Sequence, residues 1–483
     1  MMRTRVAWWI YAAVAAALAL VVVGNWIWAV TLRAPVLYGE GAVAHAAILA
    51  RDGLEYTSGA RYGAVAPIFT AANYPPLYFH LAGIGGDPFV TGRVISIAAT
   101  LFIAGAIAFR GRSAGTVVAG AIALAWVGSI PVMAWGLAVK PDPLALALTV
   151  GATLALARAR PLPIVAGVLL GLAVTAKPTA LVPAVALLVY VARRDRVGAA
   201  RGLVAGAAGI FVGLFNRSLD GAFVVHVIDW NALPWRPELL APLVFIALLV
   251  LAVPIATVVI TRLGGGAVGA YLVGAVGVLL LGGREGATVN YFLDLSAALA
   301  LAAATIAPRL SLGLRYPAAS LAQLAIGVVL LNPFPTTPSL LSPTGKWVAE
   351  PSFVAYVRDF VPGTVLIEDS GLLVANGREP IVDDLFLWSR NYASGKSFRE
   401  GQQLLDAVRA GQFDAIVSEA DLERIDTAPG YERQRWHPDL IAAVIERYQH
   451  TIPGFARPGE FVQIFILCPA FVPCRQLYVY TRR

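Results

Sequence analysis

Up to about Asn332 the chain is a succession of apolar runs of about 16 to 24 residues, separated by short polar breaks. Runs of that length match the ~30 Å hydrocarbon core of a bilayer. They lie at about 7–30, 90–109, 114–136, 142–157, 162–177, 179–192, 202–216, 239–261, 266–282, 289–307 and 316–332. With 58% of its 483 residues hydrophobic and only 14% charged, the chain falls far outside the soluble range. After about Gly345 the composition turns ordinary and polar. The expected fold class is therefore an all-α polytopic membrane domain of about eleven transmembrane helices (1–340), with a long first outer loop (31–89), followed by a small soluble α/β domain (345–483). The first run follows Arg3 and Arg5, is too long for a signal-peptide core and reads as a retained helix.

Charge orients this arrangement. If the N-terminus is cytoplasmic, the alternate loops on that side carry Arg110, Arg112, Arg158, Arg160, Arg193, Arg194, Arg196, Arg201, Arg262, Arg309 and Arg315, with Asp195 the one acid among them. The opposite loops carry Glu40, Asp52, Glu55, Asp87, Asp142, Asp220, Asp229, Glu238, Glu285 and Asp294. This is the positive-inside pattern, and an odd number of spans puts residues 345–483 outside the cytoplasmic membrane. The net charge of +8 thus belongs to membrane orientation. No Lys/Arg stripe interleaved with aromatics suggests nucleic-acid binding. Carboxylates gathered at one interface also differ from the mid-bilayer ionisable groups expected of an ion-coupled transporter.

In the soluble part, VLIED (365–369) and FDAIVSE (413–419) read as short buried strands. FREGQQLLDAVRAG and HPDLIAAVIERYQ read as amphipathic helices, and EFVQIFIL and RQLYVYT as closing strands. His437 and Asp439 read as helix-cap residues. Cys468 and Cys474 are candidates for a disulfide in an oxidising compartment, with two free thiols as the alternative.

Chemistry-bearing residues cluster on the outer side. YGEG holds Glu40 just after the first run, and NYPPLY (73–78) holds Tyr74 and Tyr78. Arg93 opens the second run, Lys140 and Asp142 sit in KPDP, and Lys177 lies in a tight hairpin. Arg284, Asn290, Tyr291 and Asp294 precede or enter the tenth run. Glu40 between glycines has no structural duty visible in the sequence, whereas Asp142 could also serve a helix start. Two carboxylates and several cations suit a reaction in which a hydroxyl or amine loses a proton and a phosphate departs. The bland competitors are lipid-facing cations and interfacial belt tyrosines.

YGEG, NYPPLY, Gly92-Arg93, KPD and NYFLDL, in that order, resemble the GT-C superfamily of membrane glycosyltransferases. The likeness is to its bacterial branch of protein O-mannosyltransferase-like and lipid A aminoarabinose transferase-like enzymes. The resemblance implies a polyprenyl-phosphate-sugar donor, a lipid, glycan or protein acceptor, and transfer by one inverting displacement. It implies Glu40 and Asp142 as catalytic acids sharing one pocket. Arg93, Lys140, Lys177, Arg284, Tyr74, Tyr78, Asn290 and Tyr291 would bind substrate and lipid phosphate. Many relatives carry Asp-Glu where this chain has Gly39-Glu40, which leaves divalent-metal use and the identity of the base open. The competing readings are a polyprenyl-lipid or glycan transporter and a catalytically inactive membrane scaffold.

Overall fold

The computed structural model describes residues 2–56, 68–215, 221–261, 265–331, 351–395, 399–427, 433–452 and 477–483. Among them, four helices are long and apolar enough to cross a membrane: Met2–Thr31, Pro88–Ala114, Arg196–Gly213 and Gly266–Gly283. A fifth span arises if Pro237–Val250 and Ala252–Thr261, bent by 80° at their junction, count as one. The chain is an integral membrane protein. Other apolar runs form shorter helices, including Thr116–Val127, Asp142–Leu156, Pro163–Ala176 and Phe292–Thr305. Helices of 14 or 15 residues measure ~21–22 Å at about 1.5 Å per residue, so length alone does not yield the expected eleven spans.

Local chemistry explains the breaks. The run at 114–136 splits at Gly128–Ser129, and a new helix, Ile130–Trp135, begins with Pro131 near its start. Pro254 breaks the run at 239–261 because its ring lacks an N–H and crowds the preceding turn. Gln323, on the Arg315–Leu331 helix, repairs the damage. Its side-chain carbonyl accepts the Val253 N–H at 2.8 Å, and its amide donates to the Val250 carbonyl. A membrane helix tolerates such a break when a neighbouring side chain satisfies the freed backbone groups.

Small residues set the closest helix contact. A β-carbon on Gly167 would fall 2.0 Å from the Gly202 carbonyl oxygen, and one on Gly171 would fall 2.2 Å from that of Gly206. Only glycine lets the Pro163–Ala176 and Arg196–Gly213 backbones approach this closely.

Beyond the membrane helices, four strands among the described residues form one sheet in the order β1-β2-β4-β3. These are β1 (Val365–Ile367), β2 (Ala415–Ser418), β3 (Tyr448–Ile452) and β4 (Tyr478–Arg482). β1 and β2 pair in parallel, and the other pairings are antiparallel. Leu366, Ile416 and Tyr480 pack on one side with Leu404, Val408, Leu440 and Val444. Val365, Ile367, Val417 and Val479 pack on the other with Phe353 and Val357. Apolar residues therefore occupy successive strand positions, because both faces are covered. The expected helix over 437–449 ends at Arg447, where β3 begins. His437 caps it, its Nδ1 accepting the Asp439 N–H at 3.2 Å. EFVQIFIL, Cys468 and Cys474 lie outside the described residues.

This unit is bolted to the first outer loop. Ile68 and Phe69 donate backbone N–H groups to the Ile381 carbonyl, and Phe69 and Trp230 enter the same apolar cluster as Trp388. Asp383 accepts the Ala71 N–H at 2.7 Å and faces His45 Nδ1 at 3.1 Å. Tyr38 stacks beneath the Arg435 guanidinium, 3.9 Å from the ring centre. Its hydroxyl donates to Asp384 at 3.3 Å and accepts the Phe386 N–H at 2.9 Å.

Candidate active site

A cavity of about 170 Å³ lies where the outer loops meet the sheet-bearing unit. Tyr38 and Gly39 come from the first outer loop, Asn73 and Tyr74 from the NYPPLY segment, and Lys140 from the turn before the Asp142–Leu156 helix. Lys177 and Thr179 enter from the hairpin after Pro163–Ala176, while Asn231, Arg284, Glu285, Asn290 and Tyr291 enter from later loops. Asp384, Phe386 and Leu387 close it from the sheet-bearing unit. Chain segments far apart in sequence thus bring Lys140, Lys177 and Arg284 to a single hollow.

Each cation is held by a partner. Lys140 Nζ donates to the Gly39 carbonyl at 2.7 Å, and it would also lie 2.7 Å from a β-carbon at position 39. Gly39 has φ of +77°, so the turn favours glycine and leaves that space to the ammonium. Lys177 Nζ donates to Asp142 Oδ1 at 2.5 Å and lies 5.2 Å from the centre of the Tyr291 ring. Asn290 Nδ2 donates to the same Asp142 oxygen at 2.8 Å. Arg284 donates to the Asn231 carbonyl at 2.9 Å and to the Tyr291 hydroxyl at 3.3 Å.

The carboxylates divide differently from expectation. Glu40 and Arg93 are both 0% exposed, and neither lines the cavity. Glu40 Oε2 accepts from the Val36 N–H at 2.6 Å and from Arg93 at 2.9 Å, and Oε1 accepts the Val139 N–H at 2.8 Å. Arg93 also donates to the carbonyls of Ala29, Leu32 and Ala34, closing the end of the first helix. Asp142 borders a smaller hollow of about 10 Å³ with Lys177, Asn290 and Asp294. Among the described residues, no hollow is therefore lined by both Glu40 and Asp142, contrary to the shared pocket expected from the sequence. The reason is that the Arg93 pair turns Glu40 inward. Tyr78 is also fully buried, its hydroxyl donating to the Gly92 carbonyl at 3.1 Å, away from the cavity that Tyr74 lines.

Glu285 faces the cavity with its oxygens engaged by Arg236 at 3.2 Å and Arg390 at 2.8 Å. Sequence reasoning missed Asp384. Its Oδ1 accepts the Leu387 N–H at 2.9 Å, capping the Leu385–Ala393 helix, and accepts from Tyr38. Burial pushes the Asp384 carboxyl up from the usual carboxylate range, against the backbone hydrogen bond and nearby Lys140, which pull it down. Its one sequence signal is Asp383-Asp384 before an apolar helix, of which a single acid suffices as cap. Among the described residues no group of three or more His, Cys, Asp or Glu side chains gathers as metal ligands.

No protein-family model and no curated protein matches the chain. Two solved structures do. ArnT from Cupriavidus metallidurans bound to undecaprenyl phosphate aligns over 97% of both chains with a TM-score of 0.57 and 14% identity. The same enzyme in the apo state aligns over 97% of both chains with a TM-score of 0.54 and 14% identity. At this identity the likeness is one of fold: the chain shares the fold of that enzyme over nearly its whole length.

Proposed function

We propose that the chain is a glycosyltransferase that moves a sugar from a polyprenyl-phosphate donor to an acceptor at the outer face of the membrane. The observation that carries this reading is the convergence of Lys140, Lys177 and Arg284 on one cavity in a fold that ArnT uses around undecaprenyl phosphate. Three cations at a water-poor interface suit a phosphate that gains charge as the glycosidic bond breaks. Asp142, itself bonded by Asn290, holds Lys177 in place, and the Glu40–Arg93 pair frames the first loop. An apolar groove of about 250 Å³ runs from Leu156 and Val191 to Val174 and Leu181, close in sequence to Lys177. It offers a path for the isoprenoid chain.

In this reading the acceptor hydroxyl or amine attacks the anomeric carbon from the face opposite the phosphate, inverting it in one displacement. About eleven spans (1–340) carry the site, with the N-terminus cytoplasmic and residues 345–483 as an outer α/β domain in the inner membrane's periplasmic-side space. The acceptor is a lipid, a glycan or a protein. A second reading, a lipid-binding scaffold without catalysis, is favoured by one observation: Gly39 brings no carboxylate and Glu40 is fully engaged.

Binding of undecaprenyl phosphate to the detergent-purified full chain tests the reading. Wild type should bind it, and Lys177→Ala combined with Arg284→Ala should abolish binding. A wild type with no measurable binding ends the proposal.

A further inference from the structure

We infer that Asp384, delivered by the sheet-bearing unit, is the base that takes the proton from the acceptor. This rests on the glycosyl-transfer reading above. Five carboxylates lie near the site among the described residues, and four of them either stand outside the larger cavity or have both oxygens engaged. Glu40 is outside the cavity with both oxygens filled. Asp142 and Asp294 border the smaller hollow and do not line the larger cavity. Asp142 takes Lys177 and Asn290 on Oδ1, its Oδ2 having no hydrogen bond among the described residues, and Asp294 accepts from Tyr271. Glu285 is clamped between Arg236 and Arg390.

Asp384 alone both lines the larger cavity and keeps an oxygen, Oδ2, without a hydrogen bond among the described residues. Its other oxygen is fixed by the Leu387 N–H and the Tyr38 hydroxyl, so the carboxylate is held on a helix start rather than a mobile tip. Lys140, Tyr38, Asp383 and Tyr74 are the charged or titratable groups acting on it among the described residues. Lys140 occupies the space beside Gly39, so a carboxylate must reach the cavity from another side.

The step balances without a further reagent. The acceptor O–H or N–H proton passes to Asp384 Oδ2 as the acceptor atom bonds to the anomeric carbon. The bond from that carbon to the phosphate oxygen breaks, and its electron pair leaves with the polyprenyl phosphate held by Lys177 and Arg284. Docking of the sheet-bearing unit through Tyr38 and Asp383 then becomes part of the catalytic apparatus.

The experiment compares full-length wild type, Asp384→Asn and Asp384→Glu in detergent. Each is given undecaprenyl-phosphate-linked hexoses and pentoses plus a membrane extract supplying acceptors. Asparagine keeps the helix cap and can still accept from Tyr38, but it cannot take a proton. Asp384→Asn should release undecaprenyl phosphate at least ~100-fold more slowly than wild type, while binding undecaprenyl phosphate within about twofold. Asp384→Glu should regain part of the rate. Wild-type turnover should rise with pH through the Asp384 titration, and the residual rate of Asp384→Asn should lack that limb.

Undiminished turnover in Asp384→Asn overturns the assignment alone. Loss of undecaprenyl phosphate binding in step with loss of turnover also overturns it, since Asp384 would then serve binding. A wild type that neither binds undecaprenyl phosphate nor releases it from any donor overturns the glycosyl-transfer reading and this inference together.

Discussion

Arg93 and Glu40 meet at 2.9 Å with neither side chain exposed; Glu40 also accepts the Val36 and Val139 N–H groups, and Arg93 donates to the carbonyls of Ala29, Leu32 and Ala34. Removing one partner of such a pair strands the other charge in the interior, at a cost of about 3–5 kcal/mol. Arg93→Ala and Glu40→Ala should each lower the unfolding temperature of the purified protein sharply. A folded Glu40→Ala with wild-type stability would show that the pair has no structural duty and would return Glu40 to the list of acids free for chemistry.

Lys177 should carry a measurable share of lipid-phosphate affinity. A charge-assisted hydrogen bond contributes about 1.5–3 kcal/mol, roughly 10- to 100-fold in Kd. Lys177→Met keeps the stem and removes the ammonium, so undecaprenyl phosphate binding should weaken by that factor. Asp142→Asn loses the ion pair that orients Lys177 and should weaken binding by less. Equal affinity in wild type and Lys177→Met, measured by calorimetry in detergent, would exclude Lys177 from the phosphate site.

Gln323 should matter for stability although it does not line the cavity. It pairs with the Val253 N–H and the Val250 carbonyl at the break made by Pro254. Gln323→Leu fills similar space and leaves both groups unpaired, each at about 1–3 kcal/mol. Thermal unfolding should show the loss, and Gln323→Leu with Pro254→Ala should recover part of it by letting the helix run on. No recovery in the double variant would mean that the bend has another cause.

How much of this was legible depends on the range of the interactions involved. The first helix, the Pro88–Gly111 helix and strands β1 and β2 follow from local runs of apolar residues, which a single stretch of sequence displays. β3 was hidden because the helical pattern of HPDLIAAVIERYQ continues past Arg447 without a breaker, and only pairing with β4 makes Tyr448 extended. Glu40 seemed idle because its partner, Arg93, lies 53 positions away and no local pattern joins them. Asp384 was masked by its second duty, since an acid before an apolar helix already has a reason to be there. That Lys140, Lys177 and Arg284 share a hollow follows from charge placement along the loops, but the wall closing it comes from the sheet-bearing unit, which no local signal points inward.

Asp384 also yields a stability prediction of definite sign. Burial raises its pKa in the folded protein above the unfolded value of about 4. A carboxyl shifted upward binds its proton more tightly when folded, so its favourable contribution is fully present below the unfolded pKa and is lost as pH rises through the folded value. Once ionised, the desolvated carboxylate therefore opposes folding. Asp384→Asn removes that charge while keeping the cap, and it should melt at a higher temperature than wild type at pH 7, with the gap closing toward pH 4. Because the same substitution is expected to slow transfer, a variant that is more stable and less active would place Asp384 among residues held at a cost in stability for the sake of chemistry. A variant less stable than wild type at pH 7 would show instead that attraction to Lys140 outweighs burial, and that the carboxylate belongs to the scaffold of the cavity.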